Sequence, residues 1–283
     1  MWTTDLSLLV FFSVLGAAFL HASWNALVKL GGDKMTGMLI LTIVQGFVGA
    51  FIALFYPLPQ GQVWLWLLAS GVIHSAYKYL LAYAYAQGDL SRVYPIARGA
   101  APMMVLCFGA VYLADHITAI EVIGILTLGA GILLMARGIF TNGESRRMLP
   151  FALGSALATA SYSLVDGLGA RVAGDAGMYV AWLFLFDGLF FSSFVFLTHG
   201  KSTFIANRRS WLLGSLAAGL SYGAYAIAVW AMTQAPIALV TALRETSILF
   251  AVLIGWLAFG DKMDRAKATA ACLIVAGVIL TRL

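Results

Sequence analysis

Residues 16–28 read GAAFLHASWNALV, and residues 154–166 read GSALATASYSLVD. Aligned without a gap at an offset of 138, the segments match Gly16 with Gly154, Ser23 with Ser161 and Trp24 with Tyr162. Further matches follow in the same order along the chain: Gln45-Gly46 with Asp187-Gly188, Tyr79 with Tyr225, Arg98 with Arg244, Asp115 with Asp261, and Gly131 with Gly277. Chance alignment of apolar segments explains leucine on leucine, but not an ordered series of aromatic, arginine and acidic matches. The sequence therefore indicates an internal duplication.

The composition predicts an integral membrane protein. Of 283 residues, 62% are hydrophobic and 10% are charged, whereas soluble domains carry about 25% charged residues. The alternating pattern of an outer-membrane β-barrel is missing. Cys107 and Cys272 both lie in apolar segments, so neither a disulfide nor a cysteine metal site is predicted, and no cofactor is expected.

Ten segments are long and apolar enough to cross a bilayer, which takes about 20 largely apolar residues. They are approximately residues 6–28, 35–56, 64–86, 91–113, 117–136, 149–170, 178–198, 211–233, 237–259 and 265–282. Each half of the duplication holds five spans, and because five is odd, the second half enters the membrane from the opposite side. The predicted fold is therefore all-α and membrane-integral, with ten transmembrane helices in two inverted five-helix repeats. The repeats are residues 1–139 and 149–283, with a linker at 140–148.

The basic residues predict an orientation in the membrane. Of the 17 Lys and Arg residues, twelve fall in links after odd-numbered spans, and only Arg171 and Arg282 fall on the opposite side. By the positive-inside rule, the links after odd-numbered spans are cytoplasmic and both termini are outside, in a bacterial-type inner membrane. The net charge of +5 mostly reflects this bias, and no nucleic-acid partner is expected.

The fourth span contains the stretch YPIARGAAP at residues 94–102. Pro95 and Pro102 each remove a helix hydrogen bond, and the freed carbonyl groups are tolerated only where they line protein or water. Arg98 beside this break is suited to binding a carboxylate or phosphate with two hydrogen bonds. The alternatives are that Arg98 pairs with an acidic residue or extends towards the cytoplasmic headgroups.

Two further segments carry a family pattern: LADHITAIEVIGILTLGAGILLMAR at 113–137 and its counterpart FGDKMDRAKATAACLIVAGVILTR at 259–282. Together with PIARGAAP and the duplication, they resemble the drug/metabolite transporter superfamily, of the ten-span EamA type, over the full length. The family's usual Gly-Glu before the fifth and tenth spans stands here as Ala114-Asp115 and Gly260-Asp261. The resemblance implies a transporter, by family majority an exporter, and leaves the substrate open. HASWNALVK (21–29) also resembles a bacterial subgroup associated with phosphonate utilisation.

Charged residues inside spans are candidates for function, because each costs about 2.5–3.5 kcal/mol at the bilayer centre. Glu245 follows Arg244 in the ninth span, and Asp187 lies in the middle of the seventh. Glu245 and Asp187 are the proton-coupling candidates, since a desolvated carboxyl group holds a proton more readily. The alternative is structural pairing with Lys78 or Arg98. The intramembrane cations Lys78, Arg98 and Arg244 outnumber these two acids. This positive excess favours an anionic or zwitterionic solute.

The remaining candidates are polar and aromatic side chains within spans. His21 and Asn25 lie four residues apart, hence on one helix face, and His74 and Lys78 repeat that spacing. Aromatic residues within spans either line a pocket for an amphipathic or cationic solute or serve ordinary packing. The predicted substrate-binding residues are His21, Trp24, Asn25, Gln45, His74, Tyr77, Lys78, Tyr79, Arg98, Tyr222, Tyr225 and Arg244.

The pattern favours a secondary transporter that works by alternating access, exports a small polar metabolite (amino acid-like, zwitterionic or anionic), and has proton coupling as an option. The alternatives are efflux of cationic or aromatic drug-like compounds and exchange of phosphorylated or phosphonate metabolites. An enzyme is disfavoured because no HExxH is present and Val195 stands where a Walker A loop ending in THGKST needs glycine. The expected partners are the solute and the lipid bilayer, and the chain is expected to be a monomer or a homodimer.

Overall fold

A computed structural model describes residues 7–31, 33–87, 93, 97–113, 115–136, 146–259 and 265–283. Within these ranges the chain forms eleven α-helices and two short 3₁₀ helices, with no strand. The α-helices are α1 (Leu8–Leu30), α2 (Lys34–Ala53), α3 (Val63–Gln87), α4 (Ala101–Tyr112), α5 (Ala119–Ala136), α6 (Leu149–Ala173), α7 (Ala176–His199), α8 (Arg208–Met232), α9 (Ile237–Arg244), α10 (Ser247–Phe259) and α11 (Arg265–Leu280). The 3₁₀ helices are Arg146–Met148, at the end of the predicted linker, and Lys201–Phe204.

Five helical segments of the described chain are long and apolar enough to cross a membrane, judged by length and composition. They are Leu8–Val28, Lys34–Ala53, Ala176–His199, Arg208–Met232 and Ile237–Leu257. Ala97–Tyr112 and Ala119–Leu134 are shorter apolar helices. The helices α3 and α6 coincide with the third and sixth predicted spans, but they carry the buried polar residues His74, Lys78 and Asp166. The sequence predicts ten spans, whereas five helical segments of the described chain meet both the length and the composition criteria.

The outward-facing side chains of the helices are largely apolar. Phe47, Leu65 and Leu197 expose 73%, 70% and 81% of their surface. By contrast, lysine, arginine, histidine and acidic side chains are buried between the helices. An apolar exterior around buried polar groups is what a lipid environment requires, since polar side chains in a membrane face the bundle interior.

The helices pair across the two halves of the chain. The most extensive contacts join α2 with α7, α5 with α11, α1 with α8 and α3 with α6, and α4 packs on α9. The first helix of each half thus packs on the third helix of the other half. The second, fourth and fifth elements pack on their counterparts. Reciprocal pairing of this kind is characteristic of a two-fold relation.

The α2–α7 crossing is built on glycines that the internal alignment matches. A Cβ atom added to Gly188 would lie 2.8 Å from the Cα atom of Gly46, and one added to Gly46 would lie 3.1 Å from the Cα atom of Gly188. Glycine lets two helix backbones approach closely, as is common in membrane bundles. The second helices of the two halves therefore meet backbone to backbone.

The ninth predicted span, which contains the apolar segment Ile237–Leu257, is divided by a turn into two helices. The helix α9 ends at Arg244 and α10 begins at Ser247. Between them, the amide groups of Glu245 and Thr246 donate to carbonyl groups three residues earlier, at 3.0 and 3.1 Å. No proline lies at this break. It occurs where Glu245 reaches a partner on the fourth span, so a tertiary contact accompanies the interruption.

The fourth predicted span is also interrupted, and here the sequence predicted a break. A helical turn at 97–99 is separated from α4 by a turn at Ala100, and Pro102 stands in the first turn of α4. A proline in the first turn of a helix removes an N–H group that has no partner there in any case. Pro95 lies outside the described residues. The first break is at Ala100 and the second is at Glu245–Thr246. The alignment offset of 146 matches Ala100 with Thr246, so the two breaks correspond.

Candidate functional site

An internal cavity of about 40 Å³ lies between α1, α2 and α3 of the first half and α6, α7, α8 and α9 of the second. Eight of the twelve predicted substrate-binding residues line this cavity: His21, Trp24, Gln45, His74, Tyr77, Lys78, Tyr225 and Arg244. The lining is completed by Met38, Leu41, Tyr162, Phe184 and Ser221. Because one water molecule needs about 10–15 Å³ of such space, the cavity has room for a few water molecules but is smaller than a metabolite.

Four predicted residues are absent from the lining: Asn25, Tyr79, Tyr222 and Arg98. The Asn25 amide donates to a carbonyl group one turn earlier in α1, at 2.8 Å. Tyr79 packs on the ring of Phe194, with centroids 5.0 Å apart. Tyr222 packs against Phe184, with centroids 4.9 Å apart. Tyr222 thus supports a wall residue, whereas Tyr79 faces the α3–α7 contact.

Arg98 forms a buried two-bond ion pair with Glu245. Its Nη2 donates to Oε1 at 2.8 Å, and its Nε donates to Oε2 at 3.2 Å. A third bond runs from Nη1 to the hydroxyl oxygen of Tyr162 at 3.3 Å. The two side chains are 1% and 0% exposed. This is the structural pairing that the sequence left open as an alternative. Direct contact of Arg98 with a solute stays a prediction.

Lys78 and Asp187 form a second buried ion pair, which joins α3 to α7. The Lys78 ammonium donates to Oδ2 of Asp187 and, at 2.8 Å, to the hydroxyl of Thr42 on α2. Within the described residues, Oδ1 of Asp187 has no hydrogen-bond partner. Lys78 lines the cavity, whereas its partners Asp187 and Thr42 do not.

Asp166 is a buried acid that the sequence reasoning missed. Its carboxylate accepts hydrogen bonds from Nε2 of His74 at 2.9 Å, from the hydroxyl of Tyr179 at 3.2 Å and from the hydroxyl of Tyr225. The residue is fully buried on α6. The inference of a positive excess from two interior acids is therefore wrong, because with Asp166 the buried acids of the described residues are at least as many as the buried cations Lys78, Arg98 and Arg244. The available signal was a lone acid inside the sixth span, in SLVDGLGA (163–170).

Several polar groups of the lining are buried but lack a hydrogen-bond partner among the described residues. They are Nη1 of Arg244, Nε2 of His21 and both amide atoms of Gln45. The Nδ1 atom of His21 accepts a hydrogen bond from the indole of Trp24 at 3.2 Å, so neutral His21 carries its proton on Nε2. The cavity thus offers an imidazole N–H, a guanidinium N–H and one amide to an occupant.

The matched arginines differ because the duplication is imperfect at the next position. Glu245 follows Arg244, whereas Gly99 follows Arg98. A symmetric counterpart of the Arg98–Glu245 pair would join Arg244 to an acid at position 99, where glycine stands. A Cβ atom at Gly99 would also lie 2.3 Å from the side chain of Ile132. Arg244 instead lies over the ring of Tyr225, at 5.1 Å from its centroid.

A further ion pair closes one end of the bundle. The guanidinium of Arg171 donates to both oxygens of Asp115, at 2.7 and 3.1 Å. Asp115 also accepts from the amide of Ile237 at 3.0 Å, at the start of α9. Arg171 binds the carbonyl oxygen of Met232 at 2.8 Å. We call Arg171 and Asp115 the end clamp. Its counterpart by alignment, Asp261, lies outside the described residues.

The described helices form a bundle with an apolar exterior and a polar cavity between its halves, as membrane transporters commonly do. The chain belongs to the EamA-like transporter family, which matches residues 8–137 and 146–283. It is therefore a multi-pass membrane transporter of the drug/metabolite transporter type, and the resemblance found in the sequence is confirmed.

Comparison with solved structures gives the same fold. Matches include 29 chains, and one, described as a crystal structure of protein, has a TM-score of 0.75 and 19% sequence identity. That match covers 97% of this chain and 98% of the other chain. No curated protein matches this chain.

Proposed function

We propose that this transporter is a secondary active carrier that exports a small zwitterionic or anionic metabolite of the amino-acid type, by alternating access. The observation that carries the proposal is the set of buried hydrogen-bonding groups on the cavity wall that have no partner among the described residues. A buried polar group without a partner costs about 1–3 kcal/mol. A ligand that supplies the missing partners recovers that free energy, so the wall is complementary to a polar occupant.

The proposed contacts to a carboxylate come from Arg244 and His21. Both present N–H donors at the wall, one charged and one neutral, and arginine binds carboxylates with good geometry. The side-chain oxygen of Gln45 supplies an acceptor for an ammonium group. Arg98 is assigned a different part: its bonds to Glu245 hold the two interrupted spans together. Zwitterions match this mixture of donors and acceptor better than simple cations do.

We further propose ten spans in two inverted repeats, 1–139 and 149–283, with the linker at 140–148. Reciprocal pairing of α1 with α8 and α3 with α6 supports a two-fold relation between the halves. The family match in two segments, 8–137 and 146–283, agrees with that division. Five spans per half make the relation an inversion, as in many secondary transporters. Residues 137–145 of the linker region lie outside the described residues.

Alternating access is supported by the small volume of the cavity. At about 40 Å³, it must widen before a metabolite can enter, so the halves must move relative to each other. The end clamp joins α6 to the start of α9 on the side that the basic-residue bias assigns to the outside. In the proposed cycle, the clamp opens when the cavity faces outwards. The expected location is a bacterial-type inner membrane.

A second candidate function is efflux of cationic or aromatic compounds. The observation that favours it is the aromatic share of the wall: Trp24, Tyr77, Tyr162, Phe184 and Tyr225. Aromatic faces attract cations. Phosphorylated or phosphonate solutes are a third class, because Arg244 also suits a phosphate group. One ligand screen separates the three classes.

The test is a thermal-shift screen of purified protein against amino acids, organophosphates, phosphonates and cationic aromatic compounds. We expect amino acids or related carboxylates to stabilise the wild type. Arg244→Ala should weaken their apparent affinity about ten- to hundredfold, since a hydrogen bond to a charged group contributes about 1.5–3 kcal/mol. Arg208→Ala, which removes an exposed arginine, is the matched control and should bind as the wild type does. Equal stabilisation of wild type and Arg244→Ala by cationic aromatic compounds would instead establish the second candidate.

A further inference from the structure

We propose that Asp166, acting with His74, is the group that carries a coupled proton in this transporter. The inference rests on the transport function proposed above and assigns the coupling to a residue other than Glu245 or Asp187. Two observations support the inference. The Asp166 carboxylate is fully buried next to the residues that line the cavity, and it accepts hydrogen bonds from donors on three helices.

The position of Asp166 places it next to the cavity without exposing it there. Its donors are His74 on α3, Tyr179 on α7 and Tyr225 on α8. His74 and Tyr225 line the cavity, whereas Asp166 and Tyr179 do not. The carboxylate is thus one side chain away from a bound solute. Because its donors lie on three different helices, a movement between those helices changes its surroundings.

The charge of its partners distinguishes Asp166 from the other interior acids. Asp187 pairs with Lys78 and Glu245 pairs with Arg98. Protonating either would leave a buried cation without its counter-ion, which is strongly unfavourable. In the described part of the chain, the hydrogen-bond partners of Asp166 are an imidazole and two phenol groups, none with a fixed charge. If the imidazole of His74 is neutral, one proton added to the Asp166–His74 pair neutralises the pair and leaves no fixed cation without its counter-ion.

Other charged and titratable groups surround this pair. Tyr162 stacks on His74, with ring centroids 4.2 Å apart, and receives a hydrogen bond from Arg98, which is neutralised by Glu245. The Lys78–Asp187 pair lies one turn along α3 from His74. These two ion pairs are internally balanced. Arg244, over the ring of Tyr225, is a further cation near Asp166 among the described residues.

Tyr225 links the proton site to the proposed solute site. Its hydroxyl donates to Asp166, and its ring lies 5.1 Å from the guanidinium of Arg244. A carboxylate bound to Arg244 therefore acts on the same side chain that stabilises the charge of Asp166. Coupling between two such sites is reciprocal, so solute binding alters proton binding and proton binding alters solute affinity. In each transport cycle, the Asp166–His74 pair takes up a proton from one side of the membrane and releases it to the other side.

The test uses the full-length protein in liposomes loaded with a pH-sensitive dye. An equimolar mixture of labelled L-amino acids is the probe, and both amino-acid exchange and amino-acid-driven proton movement are measured. The wild type should show both. Asp166→Asn should keep exchange but lose the amino-acid-driven proton movement, because an amide does not take up a proton as a carboxylate does. Asp175→Asn makes the same chemical change at an exposed helix cap and should keep both activities.

The outcomes separate this inference from the proposed function. Wild-type exchange without proton movement, or an Asp166→Asn variant that still moves protons, overturns the inference and leaves the transport function standing. Absence of wild-type exchange overturns both. If Asp166→Asn does not fold, Tyr179→Phe takes its place, because it removes one donor from the carboxylate on the side away from the cavity. The pH profile of proton movement should then differ from that of the wild type, since the carboxylate loses a hydrogen bond; an unchanged profile overturns the inference.

Discussion

The matched residues Arg98 and Arg244 show how one duplicated side chain acquires two different environments. Arg98 has a carboxylate partner in Glu245 and is 1% exposed. Arg244 lacks the equivalent acid because Gly99 stands at the matching position, and its Nη1 atom has no partner in the part of the chain that is described. A single acid-for-glycine difference between the repeats therefore separates a structural ion pair from a candidate binding residue.

The Arg98–Glu245 pair leads to a prediction about stability. Glu245→Gln preserves the size of the side chain but leaves the charge of Arg98 buried without a counter-ion. Removing one partner of a buried ion pair costs about 3–5 kcal/mol, so the unfolding temperature of the purified variant should fall clearly below that of the wild type. The double variant Arg98→Met with Glu245→Leu should recover part of the loss. Equal unfolding temperatures of Glu245→Gln and wild type would contradict a stabilising pair.

At the level of single residues, the sequence identified buried polar side chains but did not indicate their hydrogen-bond partners. Of the predicted substrate-binding residues, eight line the cavity, because charged and polar side chains within apolar spans are few and face inwards. Asp166 was missed because the internal alignment matches it with Val28, an apolar residue, and not with another acid. Its importance follows from three donors on other helices, and no pattern near residue 166 indicates them.

Among the elements, the two interrupted spans differ in their origin. The break at Ala100 lies near Pro102 and was predicted from the proline pattern. The break between α9 and α10 has no proline and follows the turn at Glu245 and Thr246. A helix former such as glutamate gives no local reason for a break. The second interruption therefore depends on contacts that Glu245 makes with the other half.

The crossing of α2 and α7 gives a prediction for helix packing. In Gly188→Ala, the added methyl group would lie 2.8 Å from the Cα atom of Gly46, so the helices must separate. Overpacking of this kind costs about 1–3 kcal/mol and should lower the unfolding temperature. Gly219→Ala is the control, because a Cβ atom there meets nothing within 4 Å; it should be neutral. A Gly188→Ala variant as stable as Gly219→Ala would contradict close backbone contact at this crossing.

For the whole molecule, the proposed orientation can be tested with single cysteines. Cys107 and Cys272 are first replaced by alanine, and then Ser202→Cys and Gln234→Cys are introduced separately at exposed positions. The basic-residue bias puts position 202 in the cytoplasm and position 234 outside. A membrane-impermeant thiol reagent added to intact cells should therefore label position 234 and spare position 202 until the membrane is opened. The reverse pattern would invert the proposed topology.

The class of the protein follows from properties that neighbouring residues share. Long apolar segments, charged links and an ordered series of repeated residues can be read along the chain, because each depends on local composition or on internal alignment. They indicated a duplicated helical transporter before any contact was known. The family match over 8–137 and 146–283 confirms that class.

The pairing of buried charges depends on helices that are distant in sequence. His74 meets Asp166 across 92 residues, Lys78 meets Asp187 across 109, and Arg98 meets Glu245 across 147. All three pairs join one half of the chain to the other, so each forms only when the halves pack together. The sequence places charged side chains inside membrane spans, where their contact with lipid is energetically unfavourable. The packing of the halves then determines which acid neutralises which cation, and it leaves Arg244 at the cavity.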